Sequence, residues 1–240
     1  MSVSERLNVN ELVLVQGWSD TRRTLRGWNA HPWKVLRTWI AWSALVALGL
    51  LVATTWVASL STPDSTPLRL PGINAPVMAG DVVYVLIRNA LVLALHGFAC
   101  VAGFIAGSSL PLSTARRTGL SRWVHEKAGP AAIAFVVGAT LFSLTTQAYI
   151  LGGTEANVAN QLDISPLALS VGLLPHALPE LIALFLPLAA WTIASRRDEW
   201  HTLLAATFVT VGLALPVLVV TSLLEVYVTP EILTALSGRH

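Results

Sequence analysis

Long uncharged runs, separated by short clusters of basic residues, set the pattern of this chain. Residues 38–63, 89–115, 128–154 and 200–224 contain no Asp, Glu, Lys or Arg, and residues 164–195 contain only Glu180. Each run exceeds the ~20 residues that carry a helix across a ~30 Å hydrocarbon core. The pattern predicts an all-α integral membrane bundle of about five spans within residues 35–226. Ahead of it, Leu12, Val13, Val15, Trp18, Leu25 and Trp28 recur at helical spacing, while Arg22, Arg23 and Arg26 can face lipid phosphates. Residues 1–34 are therefore expected to lie in the cytoplasmic interface as an amphipathic helix. That helix either docks a partner or only anchors to lipid. No apolar leader stands among these residues, so the first span is expected to insert the chain. Residues 227–240 are expected to form an external tail.

Local signals refine the elements. Trp33, Trp39 and Trp42 open the first span as an aromatic belt would. Pro63, Pro67, Pro71 and Pro76 make residues 61–80 an extended, irregular loop that either covers the bundle or only connects it. Gly103 and Gly107 in the second span permit close helix approach. The fourth run differs from the rest, with prolines at 166, 175, 179 and 187. A proline inside a helix removes a backbone donor and clashes with the preceding turn. The fourth span is therefore expected to break around Pro175 and Pro179, residues 174–180.

Composition agrees with the class: 54% of residues are hydrophobic and 12% charged, about half the charged share of a soluble domain. Charge placement adds orientation. Of the 15 basic residues, 12 fall before span one, after span two or after span four, which a five-span chain puts on one side. The positive-inside rule then makes the N-terminus cytoplasmic and the C-terminus external. A sequence pI near 9.0 reflects this orientation and anionic lipid, so nucleic acid is not required as a partner. The single cysteine, Cys100, excludes an internal disulfide and reads as a small apolar filler.

Familiar catalytic patterns are missing. The nearest approach to a zinc-protease H-E-x-x-H is His125-Glu126-Lys127-Ala128-Gly129, with glycine where the second histidine should stand. There is no phosphate-binding G-x-x-x-x-G-K-[ST] and no G-x-S-x-G elbow, so nucleotide energy, if used, comes from another polypeptide. An intramembrane hydrolase would need a nucleophile–base pair that is not apparent. His176 and Glu180, at i and i+4, share one face of a helix. Such a pair could handle a proton or substrate, bind a metal, or tie helices together; two ligands fall short of a metal site, and no cofactor is expected. By helix rise, Glu180 lies ~8 Å and Arg88 ~10 Å beneath the outer boundary. Opposite charges at one depth are the expected arrangement for buried ions, which predicts a cluster of Arg88, Asn89, His176 and Glu180, joined by Glu225.

At these residues the chain resembles the stage II sporulation protein M family of bacterial membrane proteins. The family's P-H-G-x-x-E-l-x-A-l run is matched by Pro175-His176-Ala177-Leu178-Pro179-Glu180-Leu181-Ile182-Ala183-Leu184, with Ala177 at the glycine position. Glu225-Val226-Tyr227-Val228-Thr229-Pro230 resembles the family's acid before a-f-v-T-P, and Arg88-Asn89 matches part of its Asn-Asn pair. The resemblance covers residues 82–233 and implies a non-enzymatic membrane subunit. One expectation is a scaffold or tether working with other envelope proteins such as a cell-wall hydrolase. The alternative is a permease-like subunit of an exporter of peptides or other amphiphiles, energised by a separate ATPase. Beyond the lipid bilayer, both readings leave homo-oligomerisation open.

Overall fold

A computed structural model describes residues 13–64, 66–105 and 119–238, and their regular structure is helical. In chain order the helices are α1 (Val13–Ala30), α2 (Pro32–Leu60), α3 (Ala79–Phe104), α4 (Gly119–Leu162), α5 (Pro166–Arg197), α6 (Leu203–Leu223) and α7 (Thr229–Leu236). A short 3₁₀ turn, Trp200–Thr202, precedes α6, and a π-helical turn, Leu224–Val228, joins α6 to α7. Five segments are long and apolar enough to cross a membrane: Pro32–Leu60, Ala79–Phe104, Ala134–Leu162, Pro166–Arg197 and Trp200–Leu236. The protein is a multi-pass membrane helical bundle, as the uncharged runs predict.

The packing is that of a membrane bundle, with small residues inside and bulky ones outside. Along α2 the buried positions are Trp39, Ser43, Ala47, Leu50, Thr54 and Ala58, a 3.6-residue stripe mostly of small side chains. Leu45, Val52 and Trp56 of the same helix are more than 60% exposed, an arrangement that suits lipid and not water. α5 is the central helix: 61% of its apolar window is buried, against 33% or less for the other four. It packs against α2, α3, α4, α6 and α7, while α2 also packs on α4 and α3 on α6. Gly103 permits one of these close approaches, since a Cβ there would stand 2.6 Å from Trp191 Nε1. The other half of that motif, Gly107, lies outside the described residues.

The expected break in the fourth span is not present. α5 runs without interruption from Pro166 to Arg197 through Pro175, Pro179 and Pro187. Ser165 caps its start, accepting from the Ala168 N–H, with Pro166 at the first position where no donor is needed. A proline inside forfeits one hydrogen bond, and a helix packed on several sides survives that loss when neighbours supply donors. Pro187 leaves Ala183 O without its usual helical donor, and α3 braces the same stretch through neighbouring carbonyls: His96 Nδ1 lies 2.7 Å from Leu184 O, and Cys100 Sγ donates to Pro187 O at 3.1 Å. Pro175 and Pro179 lie within a continuous helix and do not break it.

Three boundaries also shift. The third span does not end near residue 154, because α4 continues to Leu162 and only residues 163–165 turn, with Asp163 at φ +58°. The first span begins at Pro32, ahead of the expected boundary at 35. Residues 227–240 are not a free tail through Gly238, since α7 packs on α5 with Thr229, Pro230 and Leu233 buried.

The two ends of the bundle differ. At one end α1 lies against the end of α3 and the start of α6, where Gly17 approaches Phe104 and Leu204. Its inward face is Gly17 and Thr21, whereas Trp18 is 66% exposed and points away from the bundle. Trp28 meets Trp39 edge-on at 5.1 Å, and Arg196 lies over the Trp42 ring at 5.7 Å. Leu12 lies outside the described residues. At the other end, the proline-rich loop covers the bundle. Leu68 exchanges two hydrogen bonds with Gln161, and the Asp64 N–H bonds Asn157 Oδ1. Leu70 and Ile73 pack onto Ala159, Leu162, Leu169 and Leu233. Gly72, at φ +80°, sits so close to Pro230 that a Cβ would meet it at 2.7 Å. The Thr66 amide and hydroxyl hold the Asp64 carboxyl below the usual aspartate range.

Candidate functional site

His176 and Glu180 stand one turn apart on the inward face of α5 and are buried, at 6% and 7% exposure. They do not pair with each other. His176 Nδ1 lies 2.7 Å from Thr229 Oγ1 at the start of α7, and that hydroxyl also donates to Leu224 O at 3.1 Å. A hydroxyl carries one proton, so with it on Leu224 O the imidazole donates from Nδ1 and keeps Nε2 as an acceptor. The Thr229 N–H also bonds Leu224 O, five residues back, which is the bond that defines the π turn. This turn carries Glu225 toward α5.

Glu180 is the point on which three helices converge. Asn89 of α3 and Thr221 of α6 approach its carboxyl, and the charges of Glu225 and Arg88 act on it. Arg88 also acts on His176 and Glu225. Arg88, Asn89 and Glu225 thus belong to the electrostatic surroundings of Glu180, and Arg88 to those of His176, without an ion pair within 4 Å among them. Arg88 is exposed on α3, and the ion pair within 4 Å among the described residues is Arg69–Asp81 in the loop. Asn89 is the buried member of its pair, at 3% exposure. Its Nδ2 and Glu180 Oε2 are both enclosed with no hydrogen-bond partner. One is a donor and the other an acceptor, so a single water between them would satisfy both.

A second buried acid, Glu155, lies just past the end of the third uncharged run. It is 9% exposed on α4; the Ser170 hydroxyl of α5 donates to it, and Ser170 Oγ lies 2.6 Å from Thr55 Oγ1 of α2. The group joins three helices. Its sequence signal is a stripe of small residues, Gly152, Ala156 and Ala159, that keeps helical period past Thr154 and brings Glu155 onto a packed face. His96 and Cys100, both used to hold α5, carried weaker signals. A lone histidine or cysteine in an apolar run does not reveal a carbonyl in need of a donor on another helix.

The chemistry open to these groups is limited. Among the described residues, no three His, Cys, Asp or Glu side chains converge in a way that could hold a metal ion. Cys100 is fully buried and engaged with a carbonyl, so it does not present a reactive thiol. His176 and Glu155 join helices, the first linking α5 to α7 and the second α4 to α5 and α2, while Glu180 faces Asn89 of α3 and Thr221 of α6. No protein-family model, curated protein or solved structure matches this chain.

Proposed function

We propose that this protein is a non-enzymatic integral membrane subunit, a scaffold or anchor within a bacterial envelope complex. The observation that supports this most is the use made of the buried polar groups. Two of the three sets hydrogen-bond α5 to other helices and the third packs Glu180 between α3 and α6, a pattern that favours one fixed bundle over a moving one. The resemblance to the stage II sporulation protein M family, carried by Pro175-His176 with Glu180 and by Glu225 with Thr229-Pro230, points the same way. The basic end, with Arg22, Arg23, Arg26, Arg196 and Arg197, is proposed to face the cytoplasm, and the loop-covered end the exterior. Partners are other envelope proteins, a cell-wall hydrolase among them.

A second reading, a permease-like exporter subunit, is favoured by two features. α1 lies across the basic end, where a separate ATPase would dock, and the unpartnered Glu180 Oε2 is what a coupled proton or substrate would use. Isolating the tagged chain with its surrounding membrane discriminates the two. A scaffold is expected to hold its partner at the same stoichiometry in wild type and Glu180→Gln, with or without nucleotide. A co-purifying ATPase whose hydrolysis rises with the chain and falls with Glu180→Gln would replace the scaffold reading by the exporter.

A further inference from the structure

We infer that the cleft between α1, α2 and α6 is a binding site for one anionic phospholipid. This cleft, of about 410 Å³, opens where α1 turns into α2. Arg26 and Asn29 stand at its mouth, both exposed, and Trp28, Val35, Trp39 and Val209 form its walls. Its volume falls in the ~300–1,000 Å³ range of pockets that take a discrete ligand. Polar at the rim and apolar within, it fits an amphiphile: a phosphate on the Arg26 guanidinium and the Asn29 amide, with an acyl chain along the aromatic and aliphatic walls.

Depth and charge both favour lipid. Trp39 is seven residues into α2 and Val209 six into α6, so the floor reaches ~10 Å past the helix starts while the mouth stays at headgroup level. Arg22 and Arg23 are exposed one turn before Arg26 on α1, Lys34 is exposed at the start of α2, and no acid lines the cleft; Asp20, the acid of α1, is six residues away from Arg26. A positive rim beside a tryptophan-walled slot selects an anionic headgroup over a zwitterionic one. A soluble phosphate compound would use the rim and leave the walls wet. The inference rests on the membrane-spanning fold and is independent of whether the chain is a scaffold or an exporter.

Native mass spectrometry of the detergent-purified full chain, titrated with phosphatidylglycerol or phosphatidylcholine, tests it. The wild type should retain one phosphatidylglycerol in preference to phosphatidylcholine. Arg26→Gln should weaken phosphatidylglycerol about fivefold and leave phosphatidylcholine unchanged, since a base near the membrane surface contributes about 1 kcal/mol toward an anionic lipid. Arg23→Gln, whose side chain does not line the cleft, should have a smaller effect. Val209→Trp should fill the floor and remove the preferred site, and glycerol phosphate should fail to compete. Equal binding of both lipids by the wild type, or equal losses in Arg23→Gln and Arg26→Gln, would overturn the inference whether or not Val209→Trp folds. So would a photocrosslink from position 36 to a polypeptide that phosphatidylglycerol does not displace.

Discussion

Glu180 shows how a buried acid can be held without an ion pair. Its carboxyl takes Asn89 and Thr221 as neighbours and feels Arg88 and Glu225 at longer range. Removing its charge while keeping its shape should therefore matter little, with Glu180→Gln shifting stability by no more than about 1 kcal/mol. Placing a second cation beside Arg88 is different: Glu180→Arg should cost about 3 kcal/mol or more in unfolding by mixed detergent. Adding Arg88→Glu should recover about 1–2 kcal/mol of that, because the two sites are coupled. Purely additive losses would show that Arg88 serves the headgroups and not the cluster. For His176 the partner is Thr229, so His176→Ala and Thr229→Val should each lower stability by about 1–3 kcal/mol. The double variant should fall short of their sum, and strict additivity would remove the hydrogen bond as the cause.

Helix α5 marks where sequence reading succeeded and where it stopped. Its length, its central chemistry and the convergence of Arg88, Asn89 and Glu225 on it follow from hydropathy and helix rise, because depth is a one-dimensional quantity. Its continuity does not. Whether Pro175 or Pro187 breaks a helix depends on the helices packed around it, and neither His96 nor Cys100 gives a local sign that it braces α5. The same holds for Glu155, whose charge closed the third run on paper while the helix continued with Gly152 and Ala156 packed inward. That packing is testable. A Cβ on Gly152 would stand 2.6 Å from Val57 Cβ and 2.8 Å from the Thr54 carbonyl, whereas one on Gly138 would meet nothing within 4 Å. Gly152→Ala should destabilise by about 1–3 kcal/mol, and Gly138→Ala should be neutral or slightly stabilising. Equal thermal midpoints for the two variants would contradict the close approach of α2 and α4.

The bundle has a basic end, capped by α1, and an opposite end closed by the loop of residues 61–78 and by α7. The acid cluster and the Glu155 group lie in helices whose outward surfaces are bulky and apolar. The first crossing, Pro32–Leu60, then puts Ala30 and Thr62, both exposed, on opposite sides of the membrane. Single cysteines at these positions measure the arrangement directly, in a Cys100→Ser background that removes a thiol already enclosed. With an impermeant thiol reagent on intact spheroplasts, Thr62→Cys should label and Ala30→Cys should label only after lysis. Labelling of Ala30→Cys and not Thr62→Cys before lysis would invert the orientation, and labelling of both would contradict the membrane-spanning bundle itself.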